Sequence, residues 1–173
     1  MQDAHPTFAL IHGLPMSLRR DAANLIWGTF GPSIRRRVSD RAGVALVRRT
    51  LVRDRIIAAV DASGRLVGLT GLRGVEGGLI DLPSRGVWRS FWTRRTTDMV
   101  LDSLVVTAGM RGGGVGRALI DAALTVAAAR GYPGLRAEVA RKNHAAIGLY
   151  RSAGFVPVSR GLRVVVLRRS VGA

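Results

Sequence analysis

The sequence predicts a single α/β domain of the α+β kind, and two observations predict it. Its 173 residues are 47% hydrophobic, enough to bury one core and too apolar for a disordered chain. Strand-like and helix-like patterns alternate along the chain with no internal repeat, low-complexity run or linker, so residues 1–173 are expected to form one domain.

Residues 7–12, TFALIH, read as a first strand. Pro15 and Ser17 open a helical stretch, with Ser17 able to cap it and Leu18, Ala22, Leu25 and Ile26 at helical spacing. Gly28 and Gly31-Pro32 are expected to break it, and residues 33–49 form a weaker second helix interrupted by Gly43. Residues 56–60 and 66–72 read as a hairpin about the turn at Asp61–Gly64, its second strand extending as far as Asp81. Residues 83–99 interrupt the pattern. There Trp88, Phe91 and Trp92 share a helical face among Arg85, Arg89, Arg94 and Arg95; a core-packing helix, a substrate lid and a dimer contact are all compatible with this.

The second half is plainer. Residues 99–107 form an apolar strand, and Arg111-Gly-Gly-Gly-Val-Gly116 a glycine-rich turn. A helix follows with Val115, Ala118, Leu119, Ala122, Ala123, Val126 and Ala127 as one stripe. Gly131 and Pro133 stop it. Residues 135–140 form a strand, Asn143 caps a helix with Ala146, Ile147, Tyr150 and Ala153 inward, and residues 155–158 and 162–167 close the sheet.

Composition excludes several chemistries. There is no cysteine, hence no disulfide and no thiol catalysis. His5, His12 and His144 lack metal-ligand spacing. No apolar run is long enough to span a membrane, and residues 1–18 lack a secretory pattern; a cytoplasmic protein fits. The net charge of +16 suits an anionic partner. Yet Lys142 is the only lysine, which points to an arginine bias in composition instead. Arginines spread from Arg19 to Arg169 with only 5% aromatics disfavour nucleic acid as the partner.

Strand, glycine turn and helix together make an anion-binding construction, because a helix's first N–H groups lack partners and its N-terminal end is partly positive. Arg111 and Arg117 flank it. No Gly-Lys-Ser/Thr follows, so it is not a P-loop, and the glycine spacing is wrong for a dinucleotide fingerprint.

Residues 101–155 resemble the core of the GNAT superfamily of acetyltransferases. Arg111–Gly116 matches the family's Arg/Gln-x-x-Gly-x-Gly/Ala signature, and Asn143, Ala146, Leu149-Tyr150 and Gly154-Phe155 match its second block. The resemblance implies a mixed, mostly antiparallel sheet with helices on both faces, its central strands at 101–107 and 135–140 splayed to admit acetyl-CoA. It implies that backbone groups of Leu104, Val105 and Val106 pair with the pantetheine arm. N–H groups of Gly112, Gly113, Gly114, Val115, Gly116 and Arg117 would hold the diphosphate, with Arg111 beside them. Asn143 would bond the pantetheine or its neighbouring loop near Ala146, and Tyr150 would sit near the sulfur. Two features depart from the family pattern: Thr107-Ala-Gly-Met110 replaces a common proline and acidic residue, and residues 84–99 form an atypical insertion.

An amine attacks a thioester only when neutral, whereas free alkylamines have a pKa of about 10. A base must therefore act, a donor such as the Val105 or Val106 N–H must meet the oxyanion, and the leaving thiolate gains from a proton donor, here Tyr150. Glu138 is the first candidate base, its parity opposite to Leu135, Ala137 and Val139; a glutamate there is similar to the proposed base of ribosomal-protein N-terminal acetyltransferases. Pairing with Arg136 or Arg141 is its alternative role. Asp102, a carboxylate in an apolar strand, is the second candidate base, with a buried ion pair as the alternative. His144 reads as a first-turn surface residue.

The expected function is transfer of acetyl from acetyl-CoA to a primary amine of a small molecule, with Trp88, Phe91 and Trp92 lining an apolar acceptor pocket and no metal. A protein N-terminus or lysine as acceptor is the second reading, and a non-catalytic acyl-CoA or nucleic-acid binder the third. A homodimer is compatible with all three.

Overall fold

The computed structural model describes residues 7–31, 38–80 and 96–172. Seven strands form one sheet: β1 (Phe8–His12), β2 (Ile56–Asp61), β3 (Leu66–Arg73), β4 (Met99–Val106), β5 (Gly134–Ala140), β6 (Val156–Arg160) and β7 (Val164–Ser170), in the order β1-β2-β3-β4-β5-β7-β6. The β4–β5 pair is parallel and the other neighbours are antiparallel.

Alternation along the strands feeds two cores. On one face, Ile56, Ala58 and Leu69 pack with Ala22, Ala23, Ile26 and Trp27 of α1 (Arg19–Phe30) and Val47 of α2 (Asp40–Thr50). On the other, Ile57, Ala59, Met99, Leu101, Leu135, Ala137 and Val139 pack with α3 (Val115–Ala129) and α4 (His144–Ser152). The apolar stripe of α3 is Val115, Leu119, Ile120, Ala123 and Ala127.

Several elements differ from their expected form. Ser17 lies in a 3-10 turn, and α1 starts at Arg19 with no side-chain cap. Gly28 does not break that helix, which runs on to Phe30. Helix α2 begins at Asp40, capped by Ser39, whose hydroxyl accepts from the Ala42 N–H. Gly43 sits inside α2 because a Cβ there would run into the Trp27 indole. Strand β3 stops at Arg73, where Gly74 and Gly77 bond each other's backbones in a tight turn. Trp88, Phe91, Trp92 and most of the insertion lie outside the described residues.

Candidate active site

Strands β4 and β5 pair only at their N-terminal ends: Met99 with Leu135, Val100 with Arg136, Leu101 with Ala137. Beyond that β4 stays on β3 as far as Val106, and β5 stays on β7 as far as Ala140. A notch therefore opens inside the sheet, between residues 102–106 and 138–140.

The edge that β4 presents there follows from strand alternation. The Thr107 N–H is given to Val67 O at 2.9 Å, toward β3. Val106 and Leu104 accordingly turn their N–H groups toward the notch. Val105, paired with Leu69, turns toward β3, so its backbone is not available in the way expected. The Val106 carbonyl accepts from Arg111 Nε at 3.4 Å.

Helix α3 begins beside this edge. Its N-cap is Gly114, with φ 83°, and Gly112 has φ 80°. Such angles suit glycine and lift the turn's amides outward. The Ala118 N–H returns to Gly114 O at 3.0 Å, so the preceding N–H groups at Val115, Gly116 and Arg117 have no acceptor within the helix. No side chain caps them, and no acidic residue lies in the first turn. Gly116 serves packing: a Cβ there would come within 3.1 Å of Leu149 on α4 and 3.8 Å of Leu104 and Val106 on β4. The three elements converge at this glycine. Arg111 is exposed. The Arg117 guanidinium is engaged elsewhere, bonding Asp121 at 3.0 Å and Ser152 O at 3.1 Å, which ties α3 to α4.

On α4, Asn143 Oδ1 accepts from the Ala146 N–H at 3.1 Å, leaving the carboxamide NH2 to donate. Tyr150 is 6% exposed and packs edge-on against Phe155, ring centres 5.3 Å apart. Burial raises its hydroxyl pKa well above the ordinary 10.0, so it stays protonated at neutral pH. Its side chain belongs to the same core as Ala137 and Val139.

Glu138 has the opposite parity and faces away from that core, on the far side of β5. Its Oε1 lies 3.8 Å from Arg136 NH2, and both side chains are largely covered. Glu138 and Tyr150 thus approach the notch from opposite faces of the sheet. Asp102 sits where the β3–β4 register shifts. It accepts from Arg73 Nε at 3.2 Å and from the Leu79 N–H at 3.0 Å. Burial raises its pKa, with Arg73 opposing, and its bonds hold the turn after β3. His144 is exposed in the first turn of α4.

The family model of the GNAT acetyltransferases matches residues 23–155. This chain belongs to the GNAT family. GNAT enzymes use acetyl-CoA as donor, and the parted β4 and β5 are where the family signature expects it. A crystallised acetyltransferase shares the fold with TM-score 0.73 at 22% identity, over 95% of this chain and all of that one. The ribosomal-protein-S18-alanine N-acetyltransferase from Escherichia coli gives 0.61 at 16% identity, over 96% of each chain. Nourseothricin acetyltransferase gives 0.52 at 23% identity, over 68% of this chain and 65% of that one. At these identities the likeness is one of fold. No curated protein sequence matches the chain.

Among the described residues, no helix is long and apolar enough to cross a membrane, and no group of His, Asp or Glu is placed to hold a metal. A cavity of about 450 Å³ lined by Met16, Ser17, Arg19, Arg20, Arg48 and Arg49 lies at the far ends of α1 and α2 and has no part in the notch.

Proposed function

We propose that the chain is an acetyl-CoA-dependent N-acetyltransferase acting on the primary amine of a small molecule. The observation that carries this reading is the coincidence of the notch between β4 and β5 with the uncapped start of α3. One offers an unpaired strand edge, the other a cradle of N–H groups for a diphosphate.

Acetyl-CoA, when bound, supplies an activated acyl group. The N–H groups of Val115, Gly116 and Arg117 hold its diphosphate, with Gly112, Gly113 and Gly114 permitting close approach and Arg111 adding charge. Leu104 and Val106 pair with the pantetheine arm as a neighbouring strand would, and the Asn143 carboxamide, beside Ala146, donates to the same arm. The Leu104 N–H, nearer the closed end of the notch and farther from the diphosphate cradle, is the donor for the developing oxyanion, while the Leu104 carbonyl faces the arm.

Glu138 takes the proton that makes the acceptor amine nucleophilic. Tyr150 gives one to the departing sulfur from the other face, and burial keeps its hydroxyl protonated until then. Asp102 is the weaker candidate for the base, since Arg73 and Leu79 already occupy its oxygens.

Thiol release measured over an amine panel tests these roles. Glu138→Gln is expected to lower kcat by at least about a hundredfold, the usual reach of general-base catalysis. Tyr150→Phe should cost about tenfold, or ~1.4 kcal/mol of barrier. Release undiminished in both variants removes the assigned mechanism.

A further inference from the structure

Arg136 and Glu138 alternate along β5, so they share the face turned away from α3 and α4. Arg136 belongs to the last stretch that still pairs with β4, opposite Val100. Glu138 is the first residue of that face beyond the parting. The guanidinium is therefore on the paired side of the parting and the carboxylate just inside the closed end of the notch.

Their surroundings are unequal to the charge they carry. Across the β5–β7 ladder, Arg136 stands directly opposite Arg168, and like charges at such positions repel. Arg168 is engaged at each of its three guanidinium nitrogens. Its Nε donates to Asp98 at 2.9 Å, one terminal nitrogen to Ser170 Oγ at 2.8 Å, and the other to Pro133 O at 3.2 Å. Of the two carboxylates at β4 on this face, Asp98 is thus spent on Arg168, with its second oxygen buried and, among the described residues, unpaired, and Asp102 is taken by Arg73 and the Leu79 N–H. Among the described residues, Arg136 is left with Glu138 alone, at 3.8 Å, and its buried Nε–H has no partner. Buried guanidinium N–H groups are rarely left so.

We infer that Arg136 receives the carboxylate of the acceptor, and that the acceptor is a free α-amino acid. The inference rests on the reading of Glu138 as the base. An α-amino acid carries its amine and carboxylate on one carbon, so the two groups can lie side by side against two side-chain tips 3.8 Å apart. Its carboxylate meets the terminal nitrogens of Arg136. Its ammonium meets Glu138. Binding then replaces the internal ion pair, and Glu138 is released from Arg136 as its substrate arrives. A peptide N-terminus cannot do this, because its α-carboxyl is already an amide. Neither can a lysine within a protein.

The transfer balances without a further reactant. One ammonium proton passes to Glu138 and on to solvent. The neutral nitrogen bonds to the acetyl carbon as the carbon–sulfur bond breaks. The thiolate takes the Tyr150 proton, and the second proton lost from nitrogen restores Tyr150. The products are an N-acetyl amino acid and coenzyme A.

The test compares each L-amino acid with its own amide as acceptor for the full chain, by thiol release. Calorimetry in the presence of coenzyme A reports binding of the same pairs independently of turnover. For the best acceptor, kcat/KM is expected to exceed that of the amide by about a hundredfold, with the difference in KM. Arg136→Met should shrink that preference to about threefold or less, and Arg136→Lys, which keeps the charge without the fork, should retain part of it; circular dichroism checks that both variants fold. Equal use of acid and amide by an enzyme that needs Glu138 overturns this inference and leaves the proposed function intact. So does a preference that survives Arg136→Met. Turnover indifferent to Glu138 removes the proposed function instead, and amino acids that neither bind nor react overturn the assignment of Arg136 directly.

Discussion

On the α1–α2 side of the sheet, both ends of α2 and the turns around it are closed by side chains, although α1 starts without a side-chain cap. Ser39 accepts from the Ala42 N–H at the start of α2. Arg19 closes the other end, donating to the carbonyls of Arg48, Arg49 and Leu51 at 2.6, 3.1 and 3.2 Å. Arg53 donates to Leu14 O, and Arg55 to the carbonyls of Glu76 and Gly78. On the other side, α3 starts with glycines, no cap and no acidic residue, and β4 and β5 leave facing edges unpaired. A chain able to finish its polar groups on one side leaves them unfinished at one locality on the other. On the proposed function, the difference separates backbone kept for folding from backbone kept for a ligand. A small part of the arginine excess is explained by the same contrast, since Arg19, Arg53 and Arg55 terminate carbonyls there.

The largest expected effect probes the closed side. Trp27 is 3% exposed, fills the space left by Gly31 and Gly43, and donates Nε1–H to Asp40 at 2.8 Å. Trp27→Ala should lower unfolding free energy by about 3–5 kcal/mol, as large-to-small core changes do, measured by urea denaturation. The acetyl-CoA affinity of the protein still folded in the cold should stay within about threefold of wild type. An affinity that fell with stability would mean the two sides are not independent.

A pair of glycines sharpens the contrast. Gly114 has φ 83° and Gly28 lies mid-helix, and a Cβ would meet no atom at either. Gly114→Ala forces a left-handed alanine, at roughly 1–2 kcal/mol, and should raise the Kd for acetyl-CoA about tenfold by shifting the cradle. Gly28→Ala should stabilise α1 by up to about 1 kcal/mol and leave binding alone. Calorimetric titration with acetyl-CoA and thermal melts distinguish the two. Similar behaviour of the two variants would remove the special standing of the α3 turn.

What the sequence could disclose follows the same division. Helices α3 and α4 and strands β5 and β7 were legible because stripe, stop and cap lie within a few residues of one another. Gly28 and Gly43 misled because their tolerance depends on distant partners: Gly43 yields to an indole sixteen residues earlier in the chain. The parting of β4 from β5 is written in neither strand's pattern; it follows from where each stops pairing, and only the family resemblance anticipated it. The isolation of Arg136 was hidden for a like reason. It depends on Asp98 being claimed by Arg168, seventy residues along the chain.

The smallest effect concerns a turn closed by a single carboxylate. Asp61 accepts from the Ser63 hydroxyl and N–H and from the Arg65 N–H and guanidinium, at 2.6 to 3.0 Å. The Ser63 hydroxyl bond and then the Arg65 N–H bond hold its pKa down, from an ordinary 3.8 to about 2. A carboxylate depressed on folding stabilises the native state above its unfolded pKa, and that contribution fades as pH falls through the folded value. The stability gap between wild type and Asp61→Asn should therefore be constant above pH ~4 and close between ~4 and ~2. The Asp61 carboxyl carbon should titrate by NMR with a midpoint near 2. A midpoint at 3.8 would mean that the turn's bonds do not hold in solution. The first turn of α3 offers its N–H groups no such carboxylate, so its amides stay open to water or to an anion brought from outside the chain.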